Sequence, residues 1–350
     1  MIGKYLTFMP ELEGSLVEEW LQCLKQVIYQ REPGYSLIKL HIFVDLPDYE
    51  AYIKVSREIG KNLLNACGNL CPVFNISVLP PEKPWKVAVE AFYSKIDSSD
   101  ILIKINNNVR YIVCSTDTGK EVWASGLGFA LFSSDTKSAS ESAFEQMKAI
   151  LVSEGMSFNN IVRQSNYIGK IREGKNGFRN WQIFDDVRNK YYRKFRSIDG
   201  HPDSTRIGMM LGGVTIDFCA VMANEKQSQT DPVRQFTDNY KFTLFNSGEA
   251  PLKRIDTIGI DGIEKQTQVA VNAIIELTDQ MRINRNNVDK NTEWGKYILL
   301  RVYIKNKDDF SKVKSICMKQ FSGVPSIFIE SDICPDNLLV SIEAEFLITD

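Results

Sequence analysis

The sequence predicts an α+β fold built from three related α/β units within one chain of 350 residues. Three segments begin an amphipathic helix with a small polar residue followed three positions later by Glu. In this pattern the first side chain accepts a hydrogen bond from the helix start and the Glu side chain returns one. The three pairs are equally spaced along the chain: Ser15 with Glu18, Ser138 with Glu141, and Asp261 with Glu264. Repetition at a fixed period indicates three copies of one structural unit.

The same order of elements follows each helix start. A β-rich run comes first, then a second helical stretch, a proline and a final strand of alternating pattern. The prolines are Pro72, Pro202 and Pro325, and the final strands read KVAVEAFY, VTIDFCAV and LVSIEAEF. We therefore expect each unit to be a mixed sheet with its helices on one side.

Polar stretches between the units indicate where they are joined. We place the first unit at residues 1–97, the second at 98–224 and the third at 225–350. Three strand-like segments, ILIKINN, VRYIVCST and EVWASGLGFALF, precede the helix start of the second unit. Almost nothing precedes the helix start of the first unit, so we expect that unit to be truncated.

Composition narrows the class of protein. The formal net charge of -2 shows no excess of basic residues, so a nucleic-acid-binding surface is not indicated. Seven cysteines, an odd number without paired spacing, favour a reducing compartment over a disulfide framework. Cys67 and Cys71 lack a second pair at ligand spacing, so no metal is implied. No signal-peptide pattern and no run of about 18 apolar residues is present, so we expect a soluble cytoplasmic protein that does not bind a membrane.

The last strand carries an unusual set of polar residues. Ser341, Glu343 and Glu345 alternate with apolar residues and therefore share one face. The simpler interpretation is an edge strand with a solvated face. The alternative is that these carboxylates contribute to a functional site.

Several stretches resemble the Rid superfamily, the YjgF-type reactive-intermediate deaminases. VSIEAEF at 340–346 is similar to the terminal Val-Glu-Ile-Glu-Ala signature of that superfamily. The second and third units most resemble the chorismatases, which hydrolyse chorismate to pyruvate and a cyclic product. The supporting stretches are RQSNYI at 163–168, FRNWQIFDDVR at 178–188, PDSTRIG at 202–208 and DICPDNLLVSIE at 332–343.

The resemblance has implications for assembly. Rid proteins are trimers with small-molecule pockets between subunits, so three fused copies would form an intramolecular pseudo-trimer. Such a chain is expected to be a monomer or a weak homo-oligomer. The resemblance implies a small acidic metabolite such as chorismate as the partner, in aromatic secondary metabolism, and no cofactor.

The chain departs from the family at the reacting groups. The first Glu of the family's terminal Glu-Ile-Glu is replaced by Ser341 in the third unit, and by Ala88 and Thr215 in the others. A serine hydroxyl alone cannot protonate an enolpyruvyl group or activate water at neutral pH. The Rid arginine that follows the proline and holds a carboxylate is also absent, around Phe74, Ser204 and Ile327.

The resemblance nevertheless suggests a set of candidate site residues. Glu343, beside Ser341, would donate the proton in place of the missing Glu, and Cys334 would contact the ring of the substrate. The residues that would hold carboxylates are Arg163, Tyr167, Arg206 and Arg301. Each has a structural alternative: a solvated strand face or an ion pair for the polar residues, and a small buried apolar residue for the cysteine.

Two functional hypotheses remain open. The first is a chorismatase-like enzyme that releases pyruvate from chorismate or a related enolpyruvyl or cyclic carboxylate by acid-assisted hydrolysis. The second is a catalytically degenerate Rid-like protein that binds a small acidic metabolite or serves as a partner subunit. The surroundings of Glu343 should favour one of them: burial against an arginine keeps catalysis possible, whereas a solvated Glu343 favours binding or assembly.

Overall fold

The three units repeat one arrangement of strands around a shared centre. The computed structural model describes residues 3–116, 119–129, 135–175, 177–198, 202–223, 242–246, 262–284 and 295–348. In each unit the last strand lies in the interior of the sheet, between the strand that precedes the first helix and the strand that follows it. This arrangement places the polar face of the last strand inside the protein.

The first unit contains four strands and two helices. Its elements are β1 (Gly3–Phe8), α1 (Leu16–Tyr29), β2 (Ser36–Val44), α2 (Tyr49–Cys67), β3 (Val73–Ser77) and β4 (Val87–Ser94). The strand order is β1, β4, β2, β3, in which β2 and β3 are parallel and the other neighbours are antiparallel.

The second unit has the same core and two further strands at one edge. Its elements are β5 (Ile101–Asn106), β6 (Val109–Thr116), β7 (Gly119–Leu127), α3 (Thr136–Ser153), β8 (Ile161–Gly169), β9 (Gly174–Lys175), β10 (Phe178–Arg179), α4 (Asn180–Phe195), β11 (Asp203–Met209) and β12 (Val214–Ala223). The main sheet runs β11, β8, β12, β7, β6, β5, and β9 pairs with β10 separately. The first unit is therefore the shorter one, although β1 occupies the place of β7.

The third unit repeats the four-stranded core. Its elements are β13 (Phe242–Asn246), α5 (Ile263–Asn284), β14 (Gly295–Ile304), α6 (Phe310–Gln320), β15 (Ser326–Glu330) and β16 (Val340–Ile348). The order is β13, β16, β14, β15. Because β16 is paired on both sides, the interpretation of LVSIEAEF as an edge strand with a solvated face is wrong. The boundaries at 97/98 and 224/225 stay predictions.

Apolar residues bury the helices against the sheets and the sheets against one another. Within the second unit, Phe144 and Met147 of α3 and Phe184 of α4 are completely buried against the sheet. A separate apolar cluster contains residues from all three sheets, including Ile38, Trp123 and Leu299. Helices cover the outer faces of the sheets, and the inner faces meet at the centre. No helix within the described ranges is long and apolar enough to cross a membrane.

The predicted helix starts are confirmed in the first unit and shifted in the second. The Ser15 Oγ accepts from the N–H of Glu18 at 3.3 Å, and the Glu18 carboxylate accepts from the N–H of Ser15 at 2.7 Å. The cap of helix α3 instead lies three residues before the predicted one, because Asp135 accepts from the N–H groups of Lys137 and Ser138. Ser138 therefore lies inside the first turn. Asp261 lies outside the described residues.

Removing the observed cap of α3 should cost more than removing the predicted one. We expect Asp135→Ala to lower the free energy of unfolding by about 1 kcal/mol, because two N–H groups of the helix start lose their acceptor. Ser138→Ala removes only a hydroxyl that donates to Asp135, so we expect a change below about 0.5 kcal/mol. Urea unfolding of the two variants measures the difference, and equal losses would contradict the shifted helix start.

Candidate functional site

Three carboxylates lie at the same position in the last strands of the three units. They are Glu90 in β4, Asp217 in β12 and Glu343 in β16, two residues after Ala88, Thr215 and Ser341 respectively. All three side chains are about 2% exposed. Because the inner faces of the sheets meet, these acids approach one another in the interior, where an unpaired charge would be strongly destabilising.

Each unit supplies a cation to an acid of the next unit. The Lys39 Nζ lies 2.7 Å from an Asp217 oxygen, and a guanidinium nitrogen of Arg163 lies 2.5 Å from a Glu345 oxygen. Arg301 binds Glu90 with two nitrogens, at 2.5 and 2.6 Å. The first unit thus pairs with the second, the second with the third, and the third with the first. We call this set the ion-pair ring: Lys39, Asp217, Arg163, Glu345, Arg301 and Glu90.

Protein carboxylates surround Arg301. Besides Glu90, its guanidinium contacts Glu343 at 3.3 Å and Glu345 at 2.9 Å. The side chain is almost completely buried, and the neighbouring negative charges raise its pKa against the opposing effect of burial. A ligand carboxylate could reach this guanidinium only by displacing one of these acids. The Arg163 side chain is 19% exposed; it is paired with Glu345 and also donates to the Tyr5 hydroxyl at 3.3 Å.

The two carboxylates of β16 have opposite electrostatic surroundings. Burial raises the pKa of Glu343, and the positive charges of Arg301 and Arg163 only partly oppose that effect. Burial also acts on Glu345, but Arg163 and Arg301 together lower the pKa of that carboxyl. Glu343 accepts from the Tyr303 hydroxyl at 3.3 Å, and its other oxygen has no hydrogen-bond partner among the described residues. The protonated form is therefore more favourable at Glu343 than at Glu345.

Ser341 and Tyr167 lie near this buried cluster. Ser341 is paired across the sheet with Tyr303, and Tyr167 is paired with Thr215. The Tyr167 ring lies edge-on to His41, with ring centres 4.6 Å apart. Burial raises the pKa of the Tyr167 phenol and lowers that of the His41 imidazole, so both favour their neutral forms.

Arg206 and Cys334 lie away from the ion-pair ring, where helix α4 and the loop after β15 meet. Arg206 forms an ion pair with Asp185 and lies 5.7 Å from the centre of the Trp181 ring. Asp185 also binds Arg188 at 3.1 Å. Cys334 is half-buried, and burial raises the pKa of its thiol. The structure thus brings Glu343, Ser341, Arg163, Arg301 and Tyr167 into one buried region and places Arg206 and Cys334 in another.

A cavity of about 460 Å³ lies between the first and second units. Strand β3 and helix α2 form one side, and strands β6 and β7 with the β5–β6 turn form the other. Its polar lining residues include Asn75, Ser125, Arg57 and Arg110. None of these four was predicted from the sequence, because nothing in their local patterns distinguishes them from ordinary surface or strand residues.

Asp217 of the ion-pair ring also fixes the base of this cavity. One oxygen of Asp217 accepts from the Asn75 side chain at 3.0 Å and from the backbone N–H of Gly126 at 2.9 Å. The other oxygen pairs with Lys39. Asn75 and Gly126 come from different units, so Asp217 joins the two sides of the cavity at its base.

Among solved structures, a crystal structure of chorismatase has the same overall fold. The TM-score is 0.58 at 15% sequence identity, and the alignment covers 98% of each chain. A putative translation initiation inhibitor from Salmonella typhimurium aligns over 36% of this chain and 100% of its own, at 17% identity and a TM-score of 0.26. E. coli TdcF with bound serine aligns over 36% and 97%, at 15% identity and a TM-score of 0.26. No protein-family model and no curated protein matches the sequence. The chain has a chorismatase-like fold, as the resemblance to chorismatases predicted.

The different surroundings of Glu343 and Glu345 predict opposite effects of the same substitution. A carboxyl whose pKa is raised in the folded state lowers the free energy of unfolding as the pH rises from the ordinary pKa through the raised pKa. Glu343→Gln removes that loss, so at pH 8 we expect a free energy of unfolding equal to that of the natural chain or up to about 1 kcal/mol higher. Glu345→Gln removes the closest carboxylate of Arg163, and we expect a loss of about 3 kcal/mol.

The pH dependence provides the control for this pair. The stability that Glu345 contributes is present above its ordinary pKa and is lost as pH falls, so the deficit of Glu345→Gln should shrink in acid. Urea unfolding at pH 3.5 and pH 8, on either side of the ordinary pKa of a glutamate, measures both effects. A loss at Glu343→Gln as large as that at Glu345→Gln would contradict the assigned surroundings.

Proposed function

We propose that this chain binds a small organic acid of the cyclic carboxylate class, of which chorismate is one member, and does not hydrolyse it by the chorismatase route. The main support is the pairing of Glu343, Arg163 and Arg301 with other protein charges in the interior. A binding arginine needs an unneutralised charge to attract a carboxylate. The two arginines are already engaged by protein acids.

The position of the missing family Glu supports the same proposal. Ser341, Thr215 and Ala88 occupy that position in the three units, and none of these side chains can act as an acid near neutral pH. Each of them is buried in its sheet. Ligand binding without turnover requires only a cavity and an attractive charge, and the cavity between the first and second units offers both.

Hydrolysis with Glu343 as the acid is the second candidate. Burial raises the pKa of this carboxyl, which suits a proton donor, and Glu343 lies against an arginine. In this alternative Arg163, Tyr167, Arg206 and Arg301 hold carboxylates and Cys334 contacts the ring. The substrate would have to reach a carboxyl that is 2% exposed and displace protein acids from two arginines.

One incubation separates the two candidates. The purified protein is mixed with chorismate, pyruvate release and products are followed by mass spectrometry, and thermal unfolding is measured with and without chorismate. We expect no pyruvate above the uncatalysed rate and a higher unfolding midpoint, because a ligand at 100 times its dissociation constant stabilises the folded state by about 2.7 kcal/mol.

The Glu343→Gln variant makes the result interpretable. Pyruvate formed by the natural chain and lost in the variant would overturn the binding proposal and assign the acid to Glu343. Equal protection of the natural chain and the variant, without pyruvate, is the result that we expect. Benzoate is tested for thermal protection in the same way. If no pyruvate is formed and neither chorismate nor benzoate raises the unfolding midpoint, both candidates are contradicted.

A further inference from the structure

The charged side chains that line the cavity between the first and second units are, among the described residues, all positive. The charged side chains among its described lining residues are two arginines, Arg57 from helix α2 and Arg110 from strand β6. Arg57 is exposed and Arg110 is half-buried. Neither forms an ion pair within the described part of the chain, in contrast to Arg163, Arg206 and Arg301. The cavity therefore attracts an anion.

The remaining walls fit an apolar body. Phe74 and Leu64 line the side of the first unit, and Val109 and Phe129 line the side of the second. Gly60 in helix α2 leaves open space beside them, because an added Cβ atom would meet only the Phe74 ring, at 3.8 Å. A volume of about 460 Å³ is within the range of small-molecule sites. An aromatic or cyclic ring could lie between these side chains.

The base of the cavity is held in place before any ligand binds. Asn75 is almost completely buried, and because the Asp217 carboxylate only accepts hydrogen bonds, the Asn75 amide nitrogen must face it. The Asn75 side-chain oxygen and the Ser125 hydroxyl have no hydrogen-bond partner among the described residues. A base fixed by Asp217 lowers the cost of ordering on binding.

We infer that this cavity is the binding site for a cyclic or aromatic monocarboxylate, with Arg57 and Arg110 as the anion contacts and Phe74 and Phe129 as the ring contacts. The inference rests on the proposed function and extends it by naming the pocket, the recognition residues and the ligand class. The anion contacts come from α2 of one unit and β6 of the next, so the ligand bridges the two units.

A charged and a neutral probe of the same shape test the anion contacts. Benzoate and benzamide are titrated into the full-length protein by calorimetry, followed by chorismate. We expect benzoate to bind and benzamide to bind at least roughly tenfold more weakly, since a hydrogen bond to a charged group contributes more than a neutral one. Arg110→Gln and Arg57→Gln should each weaken benzoate by roughly tenfold and leave benzamide almost unchanged. Arg193→Gln, an exposed arginine of helix α4, is the matched control and should have no effect.

A second pair of variants tests the location without removing charge. Gly60→Leu fills the space beside Phe74, and leucine favours a helix more than glycine does, so we expect benzoate binding to be lost while the thermal unfolding midpoint does not fall. Gly60→Ala adds one methyl group and should retain binding.

The outcomes separate this inference from the proposed function. If benzoate and chorismate bind the natural chain and every variant with equal affinity, the proposed location of the binding site is overturned and the proposed function stands. Benzoate and benzamide binding with equal affinity would overturn the anion contacts. No binding of either acid by the natural chain would overturn both the inference and the proposed function.

Discussion

The ion-pair ring at the centre of the molecule is the interaction on which the arrangement of the three units depends. Lys39, Arg163 and Arg301 each contact an acid of the following unit at 2.5 to 2.7 Å. The acids are almost completely buried, and the Lys39 and Arg163 side chains are only 12% and 19% exposed, so a unit that moved would leave an uncompensated charge in the interior. The ring also fixes the order of the units, because each cation fits the acid of only one neighbour.

The ring is asymmetric in a way that a trimer of identical chains could not be. Lys39 and Arg163 occupy equivalent positions, opposite Phe92 and Cys219 in the last strands of their units. The third cation is displaced by two residues, because Leu299 takes the equivalent position and Arg301 lies opposite Glu343. Fusion of the units allows such divergence, since each copy is encoded separately. The consequence is a central region with four carboxylates, including Glu343, and three cations.

The same divergence gives the arginines of the three units different surroundings. Side chains that the family resemblance assigned to substrate, Arg163 and Arg301, neutralise protein acids in the interior. Arg206 pairs with Asp185 at the junction of the second and third units. The cavity between the first and second units keeps its arginines without acid partners in the described residues. Its base is tied to the ring through Asp217, so the structural centre and the candidate site share one carboxylate.

The sequence was sufficient to predict the repeat, the order of elements and the chorismatase-like fold, because these depend on local patterns that recur in each copy. The face shared by Ser341, Glu343 and Glu345 was also predictable from alternation. Its burial was not, since that depends on β16 being paired on both sides and on the other two units covering it. Arg57 and Arg110 carry no local signal of function, because their meeting depends on how two units pack. The cap of α3 at Asp135 was missed because Ser138 and Glu141 matched the expected pattern three residues later.

A double-mutant cycle on Arg301 and Glu90 tests the central claim most directly. The free energy of unfolding is measured in urea for the natural chain, Arg301→Met, Glu90→Met and the double variant. The ion-pair ring predicts that Arg301→Met is strongly destabilising, because it leaves the buried Glu90 without its cation. Glu90→Met should cost less, because Glu343 and Glu345 still contact Arg301, and the double variant should recover at least about 2 kcal/mol relative to the sum of the single changes. Additivity within about 0.5 kcal/mol would show that the pair does not hold the first and third units together, and would contradict the account.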